Sequence, residues 1–331
     1  MKKDDLLRVE NLKKYFPIRR SLFEFISSRK EEYVRAVDDV SFAVHEGEVL
    51  GFGGESGCGK TTMGRTILRL IEPSSGKVYF EGTEVTTLSK RRLKSLRRKM
   101  QMIFQDPHGS LNPRRTVADI LGQAVKIHGL ADGKTEEDEL IKNTLEEVEL
   151  KPADEFWARY PILLSGGQRQ RVGIGRVLIL HPKLVIADEP ISMLDVSVRI
   201  GILELLLRLR DKFGISFIYI THDLATARYV CDRIAIMYLG KIIEIAPTED
   251  IINKPLHPYT QALISAVPVP DPTVKIHELP IKGYVPLTPV DVFSSCRFYP
   301  RCPYAIKECH GEEPLLVQVG HDHYVACIKV K

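Results

Sequence analysis

The run Gly54-Glu55-Ser56-Gly57-Cys58-Gly59-Lys60-Thr61-Thr62 fits G-x-x-x-x-G-K-[ST], a spacing that binds phosphate. Glycines at 54, 57 and 59 let successive backbone N–H groups turn inward. Those donors and the positive end of the following helix dipole hold phosphate oxygens. Lys60 reaches the β- and γ-phosphates, and the Thr61 hydroxyl ligates Mg²⁺. The motif sits where that mechanism requires. Val49-Leu50-Gly51-Phe52 before it reads as a buried strand, and Met63, Ile67, Leu70 and Ile71 after it share one helical face.

A second anion site follows from the same physics at Leu164-Ser165-Gly166-Gly167-Gln168-Arg169-Gln170-Arg171. A serine and two glycines ahead of a helical pattern make another helix N-terminus with N–H donors to offer. One folded unit rarely needs two such sites for one nucleotide. Ser165, Gly166, Gly167 and Gln168 are therefore expected to serve the nucleotide of another subunit. Carboxylates complete the set. Leu184-Val185-Ile186-Ala187 is wholly apolar, as a central parallel strand should be, and ends in Asp188-Glu189-Pro190. Asp188 there binds Mg²⁺ through water, and Glu189 accepts a proton from the attacking water. Glutamate is a weak base, with an ordinary pKa of about 4.3, so its value lies in orienting the water. Ile215–Ile220 is a further buried strand, and His222 just beyond it is placed to donate to the γ-phosphate or the water. Upstream, an aromatic at Tyr15 or Phe16 either stacks on adenine or is a sheet-edge ring.

The elements that position these residues alternate between strand and helix. Leu7–Leu12 and Val40–Val44 read as strands, with a turn at Glu46-Gly47-Glu48. Gln101–Phe104 is another strand and runs into Gln105-Asp106-Pro107. From Val117 to Glu149 the apolar periodicity is helical, with Thr135-Glu136-Glu137-Asp138 expected to cap a second helix. A helical subdomain (about 108–162) is thus inserted in an α/β core. Ile234–Met237 and Lys241–Ile245, joined at Leu239-Gly240, form a closing hairpin. Residues 19–35 are a mixed-charge insertion, read as a surface hairpin tip in preference to a contact with a partner or membrane. Lys90–Lys99 carries seven basic residues in ten, but Leu93 and Leu96 interleave at helical spacing, which favours a solvated basic helix over a nucleic-acid patch.

Bulk composition limits the alternatives. The chain has 331 residues, 44% hydrophobic and 27% charged, with a net charge of +4 that is too mild to imply nucleic acid. No apolar run approaches the length of a membrane span, and Met1–Asp5 lacks a signal-peptide core, so a cytosolic protein is expected. Cys58 and Cys231 are isolated. Beyond a stretch with six prolines in residues 268–289, Cys296, Cys302, Cys309 and Cys327 are spaced C-x5-C-x6-C-x17-C. In a cytosolic chain that points to metal rather than disulfides. Four thiolates suit a [4Fe–4S] cluster; the spacing lacks the paired knuckles of most zinc sites, and zinc or no metal are the alternatives. His310, His321 and His323 lie near enough in sequence to replace a ligand.

The ordered set resembles the ATP-binding-cassette (ABC) ATPases over residues 6–265. Gly54–Thr62 is similar to the Walker A loop, Gln105 to the Q-loop glutamine, and Leu164–Gln168 to the signature motif. Asp188 and Glu189 resemble the Walker B pair, Ser192–Asp195 the D-loop, and His222 the switch histidine. Phe16 best fits the adenine-stacking aromatic. Phe104-Gln105-Asp106-Pro107, Leu111-Asn112-Pro113-Arg114 and His257-Pro258-Tyr259-Thr260 narrow the resemblance to the oligopeptide/dipeptide importer ATPases, F-type subunit. The resemblance implies a P-loop, RecA-like nucleotide-binding domain over 1–265 with an antiparallel β portion, and a small metal-binding extension over 266–331. It implies ATP and Mg²⁺, the latter held by Thr61, Gln105 and Asp188. It implies a paralogous or identical second cassette, two integral membrane permeases, a substrate-binding protein acting indirectly, and a place on the cytoplasmic membrane face. The chain departs from the family at Val172-Gly173-Ile174-Gly175-Arg176, where alanines are usual, and at Met193, where a small residue is usual. Two interior helix glycines are expected to weaken that helix by about 1 kcal/mol each. An ATPase for sugars or nickel, a soluble cassette protein acting on nucleic acid, and a redox sensor built on the cysteine tail are the competing readings.

Overall fold

The computed structural model describes residues 5–18, 32–267, 281–282 and 295–330. Most of the 19–35 insertion and of the proline-rich stretch lies outside the described residues. The chain divides into two compact units. One is built from His45–Glu48 and Leu88–Tyr219; the other from Asp5–Val44, Val49–Thr87 and Ile220–Lys331.

The first unit holds strands Met100–Ile103, Leu184–Asp188 and Ser216–Ile220 in that spatial order. Met100–Ile103 and Leu184–Asp188 run parallel, with Gln101 opposite Val185 and Met102 opposite Ile186. Val185, Ile186 and Ala187 are essentially inaccessible to solvent, as the unbroken apolar run requires. Between the first two strands every described element is helical, including Val117–His128, Lys134–Glu147 and Gly166–Leu178. Thr116 opens the first of these with a full capping box: its hydroxyl accepts from the Asp119 N–H while the Asp119 carboxylate accepts from the Thr116 N–H. The expected box at Thr135 is not formed. That helix begins at Lys134, and its acidic reach-back comes from Glu136, which accepts from the Asp132 N–H at 2.6 Å. The basic stretch is a helix over Lys90–Arg97 that buries Leu93 and exposes most of its charges.

The second unit has two sheets. Asp5–Pro17 lies between Tyr33–His45 and Ser75–Phe80 in a four-stranded sheet, pairing with the latter antiparallel, Leu7 opposite Phe80 and Val9 opposite Val78. All four of those side chains are buried. In the other sheet Val49–Gly53 runs parallel to Arg233–Tyr238, which turns at Leu239-Gly240 into Lys241–Pro247. Both turn residues have positive φ, 43° and 83°, the geometry that a two-residue hairpin demands. The chain's end extends this sheet. His323–Val325 pairs with Lys241–Pro247, placing Val325 opposite Glu244, and Val317–Gly320 pairs with His323–Val325. The helix after the phosphate loop is shorter than its apolar periodicity implied. It spans Lys60–Ile67, after which Arg69 takes a left-handed φ of 49° and the Leu70 N–H bonds back to the Arg65 carbonyl. Met63 and Ile67 are buried; Leu70 is exposed.

The signature helix accommodates its two departures without a break. It runs unbroken over Gly166–Leu178. A Cβ on Gly173 would meet nothing within 4 Å, and one on Gly175 would make ordinary contacts at 3.5–3.6 Å with Thr144, Leu121 and Val148. Alanine therefore fits both positions, and the glycines cost helix propensity without relieving a clash. Gly173→Ala should raise the unfolding free energy by about 1 kcal/mol and the melting temperature by roughly 2 °C. Calorimetry of the variant checks this; a lowered melting point would show that the helix needs the glycine.

Candidate functional site

The phosphate loop is shaped by close backing on its inner side. Gly54 has φ +143°, and a Cβ there would lie 2.3 Å from the Met237 carbonyl oxygen. Gly59 has φ +108°, and its Cβ would lie 2.0 Å from the Ala36 carbonyl oxygen. No L side chain fits either place, so both glycines are dictated by the backbone behind them. On the other side Ser56 and Gly57 are exposed, and a Cβ on Gly57 would meet nothing within 4 Å. That open side is the one a phosphate can approach. Lys60 is buried, and its ammonium donates to the Gly54 carbonyl at 2.6 Å and the Glu55 carbonyl at 3.0 Å. Cys58 is buried beside it, with Sγ 3.6 Å from Lys60 Nζ; burial raises its thiol pKa, and the neighbouring ammonium opposes that. Thr61 and Thr62 occupy the first turn of the Lys60–Ile67 helix and are half-buried.

Glu55 is engaged at every polar group. Its N–H donates to the Tyr259 hydroxyl at 2.9 Å, and its carbonyl accepts from Lys60. Its two carboxylate oxygens take a forked pair of bonds from Arg301, at 2.9 and 3.0 Å. Tyr259 comes from the His257-Pro258-Tyr259-Thr260 motif. His257 caps the helix Pro258–Ser265, its Nδ1 accepting from the Tyr259 N–H at 3.0 Å, and Pro258 takes the first helical position. An imidazole nitrogen that accepts is unprotonated, and complete burial pushes the His257 pKa down to about 3.

In the other unit the structure brings Gln105 and Glu189 together, Nε2 of the amide donating to the carboxylate at 3.1 Å. Asp188 is buried at the end of its strand. Glu189, next in line, has a left-handed φ of 44°, costly for a residue with a side chain and typical of a position held for function. Its carbonyl accepts from both the N–H and the hydroxyl of Ser192, which closes the turn. Ser165 and Gln168 form a reciprocal capping box at the start of the signature helix. Gly167 is tightly backed, since a Cβ would lie 2.5 Å from Val198 Cγ1, while Leu194 approaches Gly166. Met193 is exposed.

His222 is exposed just past its strand, and the following Asp223 caps the helix Leu224–Val230. The two candidate aromatics separate cleanly. The Tyr15 hydroxyl donates to Asp38, and Arg35 lies over its ring at 5.5 Å, so Tyr15 is committed to the fold. Phe16 keeps its ring exposed, with the Lys14 ammonium 4.9 Å from its centroid. Burial works against the Asp38 carboxylate, yet Tyr15 and Arg297 hold its pKa below the usual range.

The expected metal staple of the tail is not borne out. Among the described residues no three His, Cys, Asp or Glu side chains form a group that could hold a metal ion. Burial pushes the Cys296 thiol up to about 12 and raises those of Cys302 and Cys327, and the charges of neighbouring cysteines act in the same direction. The tail is held by other means. Arg297 pairs with Asp38 and, at 2.9 Å, with Glu313; Phe298 is packed edge-on against Tyr238 and Tyr259, with centroids 5.4 Å away in each case. His323, offered above as a spare metal ligand, bonds instead to the fully buried Glu244 at 2.8 Å. His310 lies edge-on to Tyr299 and His321 is exposed. Sequence reasoning missed Arg301 and Tyr259 as supports of the phosphate loop, and Arg297 as a fastener of the tail. The only local signal was their place in or beside recognisable motifs.

Comparison with known proteins agrees with this geometry. Residues 37–192 match the family model described as ABC transporter, and residues 243–309 match the oligopeptide/dipeptide transporter C-terminal region. The chain is 48% identical over 324 residues to a "Probable peptide ABC transporter ATP-binding protein" of Sinorhizobium fredii, covering 98% of this chain and 90% of that protein. It is 43% identical to the oligopeptide transport ATP-binding protein AppF of Bacillus subtilis, covering 98% and 97% respectively. Among solved structures it resembles the dimeric post-hydrolysis ATP-binding cassette MJ0796 bound to ADP and Pi, with TM-score 0.63 and 28% identity over 73% of this chain and 98% of that one. It also resembles CbiO1 of Clostridium perfringens, with TM-score 0.64 and 26% identity over 76% and 92%.

The His257 environment makes stability depend on pH. Its folded pKa lies below the ordinary value of 6.5, so the unfolded chain binds the proton first. The contribution is complete above pH 6.5 and is lost as pH falls toward about 3. In urea titrations the wild type should lose stability more steeply with acid than His257→Asn, which keeps a cap but cannot titrate. The difference in slope approaches about 1.4 kcal/mol per pH unit. Identical slopes would contradict the buried neutral imidazole.

Proposed function

We propose, from the premise that the chain belongs to the ATP-binding subunits of the oligopeptide/dipeptide ABC transporter family, that it energises a peptide importer by ATP-driven closure against a second cassette. The ATPase activity and its coupling to peptide import follow from relatives 43–48% identical over nearly the full chain. The observation that carries the mechanism is the Gln105–Glu189 hydrogen bond beside a strained Glu189 backbone. It ties the water-orienting carboxylate to the glutamine that stands where the core strand enters the helical segment.

Lys60 and the outward amides of the loop bind the phosphates, and Phe16 stacks on the adenine. Thr61, Asp188 and Gln105 would hold Mg²⁺, which neutralises charge on the β- and γ-phosphates when bound. Glu189 orients the attacking water, and His222 donates to the γ-phosphate. Ser165, Gly166, Gly167 and Gln168 serve the nucleotide of the other cassette; the similar MJ0796 cassette is dimeric. No helix among the described residues is long and apolar enough to cross a membrane. From the family, the subunit works at the cytoplasmic membrane face on two permease subunits, which choose the cargo together with a substrate-binding protein. The second cassette is a paralogue or a second copy. No step passes through the cysteines of the tail.

Glu189→Gln should keep MgATP bound while hydrolysis falls by a factor of about 100 or more. With ATP present the variant should also accumulate as a closed pair of cassettes in size-exclusion chromatography, run with its partner subunit if it does not pair with itself. Normal turnover in the variant would remove the role given to Glu189.

A further inference from the structure

The phosphate loop carries a carboxylate, Glu55, in a segment whose task is to bind a polyanion. An unpaired negative charge there opposes the triphosphate. The chain answers it from about 250 residues downstream. Arg301 is buried, and its guanidinium grips both Glu55 oxygens, at 2.9 and 3.0 Å. It lies over the Tyr238 and Phe298 rings, 5.8 and 5.9 Å from their centroids, and one of its nitrogens reaches the Tyr238 hydroxyl at 3.4 Å. These partners are on the inner side of the loop, where Met237 backs Gly54, and not on the open side at Ser56 and Gly57. A planar fork on a carboxylate fixes direction as well as charge. The residue so fixed is the one whose carbonyl holds Lys60.

We propose that Arg301 is a positioning residue for ATP binding: it draws the Glu55 carboxylate to the back of the phosphate loop and neutralises it, so that the C-terminal extension sets the affinity of the loop for nucleotide. The inference rests on the ATP-binding reading above. It gives the extension a task in the nucleotide site of its own chain.

The test is the equilibrium affinity for MgATP, measured by calorimetry on the full chain and its variants. Arg301→Gln should weaken binding about tenfold by leaving the Glu55 charge facing the phosphates. Arg301→Lys, which keeps the charge but loses the fork, should fall between that variant and wild type. Glu55→Gln should bind more tightly than wild type, because Arg301 then acts on the phosphates unopposed. The double variant Glu55→Gln/Arg301→Gln should recover most of what Arg301→Gln lost. A role confined to holding the tail would give no such rescue. If Arg301→Gln does not fold, the single variant Glu55→Gln still decides, since weakened binding there would overturn the proposal. So would equal weakness in Arg301→Gln and the double variant, or unaltered affinity in Arg301→Gln. Failure of the wild type to bind MgATP would instead strike the ATP-binding reading itself.

Discussion

Backbone amides that bind phosphate must be left to the ligand, and so they cannot hold their own loop in shape. That constraint organises the second unit of this chain. The loop between Gly54 and Lys60 is set by what stands behind it: the Met237 and Ala36 carbonyls against two glycines, the Tyr259 hydroxyl on the Glu55 amide, and Arg301 on the Glu55 carboxylate. Each support comes from a different part of the sequence. A neighbouring strand, a hairpin, the H-P-Y-T helix and the C-terminal tail all converge on a segment of seven residues. The tail in turn is fastened by Arg297 to Asp38 and by His323 to Glu244. Buried charges of this kind are costly unless each is paired and directed, and here each has a named partner.

The first unit solves a complementary problem. Its helix end at Ser165 is preset by a capping box, and Gly167 is there because Val198 leaves no room for a side chain. Its acids are placed by an inaccessible strand that ends at Asp188 and by a turn that forces Glu189 into a left-handed conformation. Gln105 holds that carboxylate by its own amide. On the reading proposed above, the chain carries a helix end for phosphate and an acid fixed in direction, which a second cassette would complete.

Much of this was legible in the sequence because it rests on local spacing. The phosphate loop, the apolar strand before Asp188, the signature serine and the Leu239-Gly240 hairpin each follow from a few consecutive residues whose types leave little choice. The capping box at Thr116 was equally local, yet Thr135 drew the attention because it too stands before acids. There the Asp132 amide is answered by Glu136, two residues earlier than the acid of the expected box. What could not be read was long-range. Nothing near Arg301 says that it meets Glu55, and nothing near His323 says that it meets Glu244 rather than a metal. The four cysteines illustrate the same limit. Their spacing suggested ligation, yet no group that could hold a metal forms among the described residues, where the tail is fastened by arginines and aromatic rings. Family spacing prefers Phe16 to Tyr15; that Asp38 occupies Tyr15 is the long-range part.

The central claim is that the phosphate loop is shaped before nucleotide arrives. Residue-resolved amide hydrogen exchange on the nucleotide-free protein tests it most directly. The account predicts that the Glu55 amide, bonded to the Tyr259 hydroxyl, exchanges far more slowly than an exposed loop amide, and that adding MgATP slows Ser56–Thr62 while leaving Glu55 nearly as it was. Uniformly fast exchange from Gly54 to Lys60, with protection appearing only on nucleotide addition, would contradict it.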